Sequence, residues 1–145
     1  MAERLDLTIG NTTEELERLQ GEAAGAIRRA GLSDTAVIEM QLAIEESVIN
    51  VIRYAFPAGG RHDIETHLEI GESELRLEVI DDGVAFDPTS IPPADITAPI
   101  DERPIGGLGM HLIRATMDQV GYHRLDGHNH LAMTKTIPPD WRKDG

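Results

Sequence analysis

The sequence predicts an α+β two-layer sandwich, a single sheet of mixed but mostly antiparallel strands with its helices gathered on one face. Two segments of helical periodicity run back to back before Pro57, and two hairpin patterns follow, one on each side of a third helical segment. The resulting order, β-α-α-β-β-α-β-β, makes antiparallel neighbours dominate and leaves one face of the sheet for the helices to cover. At 145 residues the chain is the size of one domain and can bury a core, so residues 1–145 are expected to form a single unit with its body at 5–137.

Each element has its own signal. "RLDLTIG" alternates Leu5, Leu7 and Ile9 with polar residues, the period of a short strand. Thr12 and Glu15 have the spacing of a capping box and open a first helix, expected to run to about Ala30 and to be stopped by Gly31. Ser33 caps a second helix whose Met40, Ala43, Ile44, Ser47, Val48 and Val51 share a face, ending near Phe56 before Pro57. "HDIETHLEI" and "ELRLEVI" both alternate and are joined by Gly71-Glu72-Ser73 as a hairpin. Five of the eight prolines fall between Asp87 and Ile105 without periodicity, a long connection that reads as a lid over about 87–108. A third helix is expected from about Leu108 to Val120, and "GYHRLD" and "HLAMTKTI" form a second hairpin around Gly127.

Composition narrows the function. Thirteen Lys and Arg against 26 Asp and Glu give a formal net charge of -13, which repels nucleic acid and anionic membranes; neither is expected as a direct partner. A phosphate ligand must then be held by backbone N–H groups or through a cation. With no cysteine, thiolate zinc sites and Cys nucleophiles are excluded. "MAERLDLTIG" lacks the pattern of a secretory leader and no apolar run approaches membrane length, so a cytoplasmic location is expected.

Three stretches carry chemistry. In "EESVINVIRYAF", Glu46 and Asn50 are one helical turn apart, with Leu42 and Ile49 to one side and Ala43 to the other, so the polar pair sits within an apolar surface. An amide oxygen suits a hard cation such as Mg²⁺, and a nearby carboxylate can take a proton from a hydroxyl. The same spacing also fits two polar side chains bonded to each other or to solvent. In "VIDDGVAFDP", Asp81 and Asp82 close an apolar strand and Gly83 frees the turn: either an acceptor for a purine amine or an ordinary acidic turn. In "GGLGMH", Gly106, Gly107 and Gly109 precede a helix whose free N–H groups suit phosphate, although no Lys-Ser/Thr follows as in a P-loop; a plain loop-to-helix junction fits as well. His128-x-His130 could set two imidazoles on one strand face as a metal pair, and His111 lies just inside the third helix.

Taken in order over residues 5–137, the Glu-x-x-x-Asn helix, the strand-end Asp-x-Gly, the lid and the Gly-rich helix start resemble the GHKL ATPase superfamily with its Bergerat nucleotide-binding fold. Within it, "EESVINVIRYAF", "DDGVAFDP" and "RPIGGLGMHLI" are similar to the anti-sigma-factor serine kinases, bacterial switch kinases. The resemblance implies ATP and Mg²⁺ as cofactors, with Asn50 as metal ligand, Glu46 as general base and Asp81, beside Gly83, on the adenine amine. It implies that Gly106, Gly107 and Gly109 wrap the phosphates and that Arg53, Ala85, Leu108 and Met110 also line the nucleotide. The implied reaction is phosphorylation of a serine on an anti-sigma-factor antagonist of the STAS type. A sigma factor is a further implied partner, and a homodimer through an edge strand such as 5–9 another. A nucleotide-gated module that sequesters a partner without phosphoryl transfer is the alternative. Ala85 stands where the family pattern has Gly, Tyr54 where many relatives have His, and the last hairpin, "GHNHLAMTK", lacks the Gly-Thr often found before the final strand, which leaves open whether Asn129 replaces that hydroxyl.

Overall fold

The computed structural model describes residues 2–90 and 107–143, with the backbone alone for 107 and 108. Strand β1 (Glu3–Gly10) leads into helices α1 (Thr13–Arg29) and α2 (Asp34–Tyr54), then β2 (Asp63–Ile70), β3 (Glu74–Asp81), α3 (Gly107–Thr116), β4 (Gln119–Leu125) and β5 (His128–Thr136). The sheet order is β1-β2-β3-β5-β4, and all four pairings are antiparallel, a stricter arrangement than the mixed sheet expected. β5 lies inside the sheet against β3, and β1 and β4 are the edges.

Inward residues alternate along each strand: Ile64, Leu68 and Ile70 on β2, Leu75, Leu77 and Val79 on β3, Leu131 and Met133 on β5. They meet Leu19, Ala23 and Ile27 of α1 and Met40, Ile44 and Val48 of α2 in one buried cluster. The opposite face carries charged and polar side chains such as Arg4, Asp6, His67 and Glu69 joined in ion pairs. A side chain of this apolar kind stabilises by about 1.5–3 kcal/mol when fully buried, so α2 is anchored well enough to present polar groups from the same surface.

The helix ends follow their sequence signals. Thr12 caps α1 by accepting from the Glu15 N–H at 3.2 Å. The reciprocal half of the box is displaced: Glu15 accepts the Gly10 N–H at 3.0 Å, tying the helix start to the end of β1, and pairs with Arg18 at 2.8 Å. Gly31 (φ 83°) closes α1 in a Schellman turn, with Gly31 N–H donating to Arg28 at 3.0 Å and Leu32 N–H to Ile27 at 3.2 Å. Two boundaries move. α2 stops at Tyr54, with Ala55 as its cap, and Phe56 leaves the helix to stack on His62 at 3.9 Å. α3 stops at Thr116 instead of Val120, because residues 119–125 pair with β5 and Val120 faces inward as a strand residue. The segment after 137 joins the packing: Trp141 is buried and donates from Nε1 to Glu39 on α2.

Arg18 and the Gly10 N–H hold the Glu15 carboxyl down to about 2. A depressed folded value contributes stability that is present above the ordinary carboxylate range and lost as pH falls toward about 2. Glu15→Gln is therefore expected to flatten the acid limb of a stability profile between the ordinary carboxylate range and that value. An acid melting curve unchanged by the substitution would contradict this.

Candidate active site

Helix α2 is the spine of the site. Asn50 is 3% exposed, and its Nδ2 has no hydrogen-bond partner among the described residues. An unpaired buried amide costs about 1–3 kcal/mol, so this residue retains hydrogen-bonding capacity that the fold does not spend. One turn earlier Glu46 is half-buried. Burial raises its carboxyl above the ordinary value, Glu45 adds to that by like-charge repulsion, and Arg53 opposes both. One turn beyond Asn50, the Tyr54 hydroxyl is also buried without a partner, and its ring stacks on Phe86 at 4.9 Å.

The two glycine-bearing stretches meet this helix at two levels, one past its middle at Glu46 and one at its C-terminal end. A Cβ on Gly109 would lie 2.5 Å from Glu46 Oε2, so the first turn of α3 passes directly over the carboxylate. That turn directs the positive end of the helix dipole to the same place. A Cβ on Gly83 would lie 2.3 Å from the Ala55 carbonyl oxygen, and the Val84 N–H donates to that oxygen at 2.8 Å. The Asp81–Val84 turn is thus docked on the end of α2. Glu46 and Ala55 are nine residues apart, or roughly 13 Å along the axis.

Asp81 is 4% exposed at the end of β3. Its Oδ1 accepts the Gly83 N–H at 2.8 Å and Asn129 Nδ2 at 2.9 Å. Ala85 is outside the left-handed region, which among described non-glycine residues is entered only by Asp126 (φ 51°). Its methyl group is therefore accommodated where the family pattern has Gly.

The structure brings together Glu46, Asn50, Gly109, Asp81 and Gly83 along α2, with Met110 buried beneath the α3 start. Arg53 is exposed two turns beyond Glu46 on the same helix, and Ala85 is exposed on the docked turn. Gly107 and Leu108 open α3, whereas Gly106 and most of the lid lie outside the described residues. The start of the lid is tied down by Arg114, which donates to the Thr89 carbonyl at 2.7 Å. His111 is exposed on α3. The histidine metal pair does not form: His128 turns to the Asp126 carbonyl at 2.9 Å while His130 stacks on His123 at 4.6 Å. Among the described residues no group of three or more His, Asp or Glu is arranged to hold a metal.

Tyr122 and Arg124, which reach the site from β4, escaped the sequence reading. Their only signal was the period-two pattern that turns Val120, Tyr122 and Arg124 to one side, and nothing local says what they meet there.

Comparison with known proteins agrees with this geometry. Residues 9–135 match the family described as histidine kinase-like ATPase domain. The chain is 32% identical over 103 residues to the serine/threonine-protein kinase BtrW of Bordetella bronchiseptica, covering 70% of this chain and 71% of that protein. It is 30% identical over 142 residues to the serine-protein kinase RsbW of Bacillus cereus, covering 93% and 86%. Among solved structures, the RsbU and RsbW domains of Rv1364c from Mycobacterium tuberculosis superpose with a TM-score of 0.61 at 16% identity, over 97% of this chain and 34% of that one. This chain therefore spans about a third of that longer protein, and the likeness there is one of fold. With a match over nearly its whole length and kinases as relatives, the chain belongs to the histidine kinase-like ATPase domain family, in the branch that holds RsbW and BtrW.

Proposed function

We propose that this protein is a Mg²⁺·ATP-dependent protein serine kinase and anti-sigma factor of a partner-switching pathway, with a STAS-type anti-sigma-factor antagonist as its substrate. The observation that carries the reading is the half-buried Glu46 carboxylate, raised above its ordinary value, packed against the glycine start of α3 and one turn from the unspent amide of Asn50. In this reading Glu46 takes the proton of the substrate serine as its oxygen forms a bond to the γ-phosphorus. The bond from that phosphorus to the β,γ-bridging oxygen breaks and ADP leaves. The α3 N-terminus faces the charge that develops on the phosphoryl oxygens.

The donor set fits Mg²⁺. Asn50 would hold the ion through its amide oxygen, a hard donor of the kind Mg²⁺ takes, while Glu46 one turn earlier stays free to act as the base. Bound there, the ion would neutralise charge on the β- and γ-phosphates. Asp81 receives the adenine amine, and Gly83 keeps the turn close to the end of α2. The net charge of -13 would let an acidic surface meet a basic face of a sigma factor, and the β1 edge is open to a second copy. No described helix is long and apolar enough to cross a membrane, and we place the kinase in the cytoplasm.

The alternative, a nucleotide-gated module without transfer, rested on Ala85, whose backbone conformation carries no strain. Incubation with labelled ATP, Mg²⁺ and candidate antagonists decides between the two. Label should pass to a serine of the antagonist, and Asn50→Ala should lower nucleotide affinity by about tenfold or more, the worth of a charge-assisted contact. Tight retention of the antagonist with no label transferred would favour the sequestering module.

A further inference from the structure

Inward positions of β5 read Asn129, Leu131, Met133, so one amide stands in an apolar row at 4% exposure. A buried amide must spend its hydrogen bonds, and this one does. Its Nδ2 donates to Asp81 Oδ1 at 2.9 Å and to the Val84 carbonyl at 2.8 Å. Its Oδ1 accepts from the Tyr122 hydroxyl at 2.5 Å, from Arg124 Nη1 at 3.0 Å and from the Phe86 N–H at 3.3 Å. Sheet register sets up the whole arrangement, because Asn129 is paired with Asp81 on one side and with Arg124 on the other. Arg124 Nη1 also donates to the Gly83 carbonyl at 2.7 Å, closing the ring of contacts around the turn.

This pattern fixes which way the amide points. Flipping it would set its oxygen against the Asp81 carboxylate and the Val84 carbonyl, and its NH₂ against three donors. The orientation in turn fixes Asp81. With the Gly83 N–H and Asn129 both on Oδ1, the carboxylate plane is locked, and Oδ2 has no donor among the described residues.

We infer that Asn129, held in place by Tyr122 and Arg124, is the positioning residue for purine selection: it turns Asp81 so that Oδ2 is left to accept an exocyclic amine, and it pins the 83–86 turn beside that base. The inference rests on the nucleotide reading of Asp81 given above. A 6-amino purine donates to such an oxygen, whereas a 6-oxo purine turns an acceptor toward it and is rejected.

The test compares binding of ATP and inosine triphosphate, which differ in that amine, by calorimetry with Mg²⁺ present. Wild type should prefer ATP. Asn129→Ala should remove about ten- to hundredfold of that preference by weakening ATP, with inosine triphosphate affected much less, the size expected when a hydrogen bond to a charged group is lost. Tyr122→Phe removes one donor from the amide and keeps the ring, so it should narrow the same ratio to a smaller extent; it also serves if Asn129→Ala does not fold. An equal fall for both nucleotides would make Asn129 a purely structural amide, and an unchanged ratio in both variants would remove its link to Asp81. Wild type that binds neither nucleotide would overturn the nucleotide reading itself, and wild type that binds both equally would overturn the role of Asp81; either result takes this inference with it.

Discussion

Glu46→Gln is expected to slow serine phosphorylation by about 10²- to 10⁴-fold near neutral pH, the usual worth of a positioned general base, while ATP affinity stays close to wild type. The substitution keeps the size of the side chain and its place under Gly109, removing its negative charge and its capacity to take a proton. The pH dependence gives a second readout. Burial, reinforced by Glu45, raises the Glu46 carboxyl, so the acid limb of kcat/KM should fall at a higher pH than a free carboxylate would set. That limb should vanish in Glu46→Gln. The stability sign runs the other way. For a group whose folded value is raised, stability is fully present below the unfolded value and lost as pH rises through the folded one, so at neutral pH ionised Glu46 weakens the fold. Glu46→Gln should then melt slightly above wild type at neutral pH and no higher at acid pH. A variant that transfers phosphate at the wild-type rate would remove Glu46 from the chemistry altogether.

The parts of this site that were legible in the sequence are those fixed by local period. Glu46 and Asn50 share a surface with Ala43 and Val51 because 3.6 residues make a turn, and Gly83 reads as a turn because it follows two aspartates at the end of an alternating strand. The neighbours of those residues are set by long-range packing and were not legible. No local pattern says that Gly83 must fit against Ala55, or that Gly109 must pass over Glu46; both contacts depend on how the sheet and the helices stack. Asn129 shows the same divide. Its inward orientation follows from alternation with Leu131 and Met133, whereas its pairing with Asp81 requires β5 to enter the sheet between β3 and β4 after the α3 crossover. Val120 was misplaced because an apolar residue there suits either a last helical turn or a first strand residue, and only pairing with Met133 decides. Trp141 lies in a three-residue turn after two prolines, too short for any period to show.

Gly109→Ala and Gly83→Ala are expected to separate catalysis from folding, although each adds the same methyl group. At position 109 the new carbon would fall 2.5 Å from Glu46 Oε2 and 3.5 Å from Cδ, so what it displaces is the far end of a flexible side chain. The carboxylate can swing away at little cost, and alanine is a better helix former than glycine by up to about 1 kcal/mol, so the melting temperature should hold or rise. The base is nevertheless driven from its place, and a misplacement of about 1 Å is enough for a loss on the order of 100-fold in kcat. Because the effect passes through Glu46, it should be non-additive: in a Glu46→Ala background, Gly109→Ala should cost almost nothing further. At position 83 the carbon would fall 2.3 Å from the Ala55 carbonyl oxygen and 2.5 Å from the Ala55 Cβ, which belong to backbone and to a side chain that cannot rotate away. Either the turn retreats and loses the 2.8 Å bond from the Val84 N–H, or the end of α2 unwinds. Overpacking of this kind costs about 1–3 kcal/mol, which should lower the melting temperature by several degrees and weaken ATP binding through Asp81 on the same turn. If Gly109→Ala melted as early as Gly83→Ala, or if it stayed harmful once Glu46 was gone, the glycine would be serving the fold and the close approach of α3 to the carboxylate would have no part in catalysis.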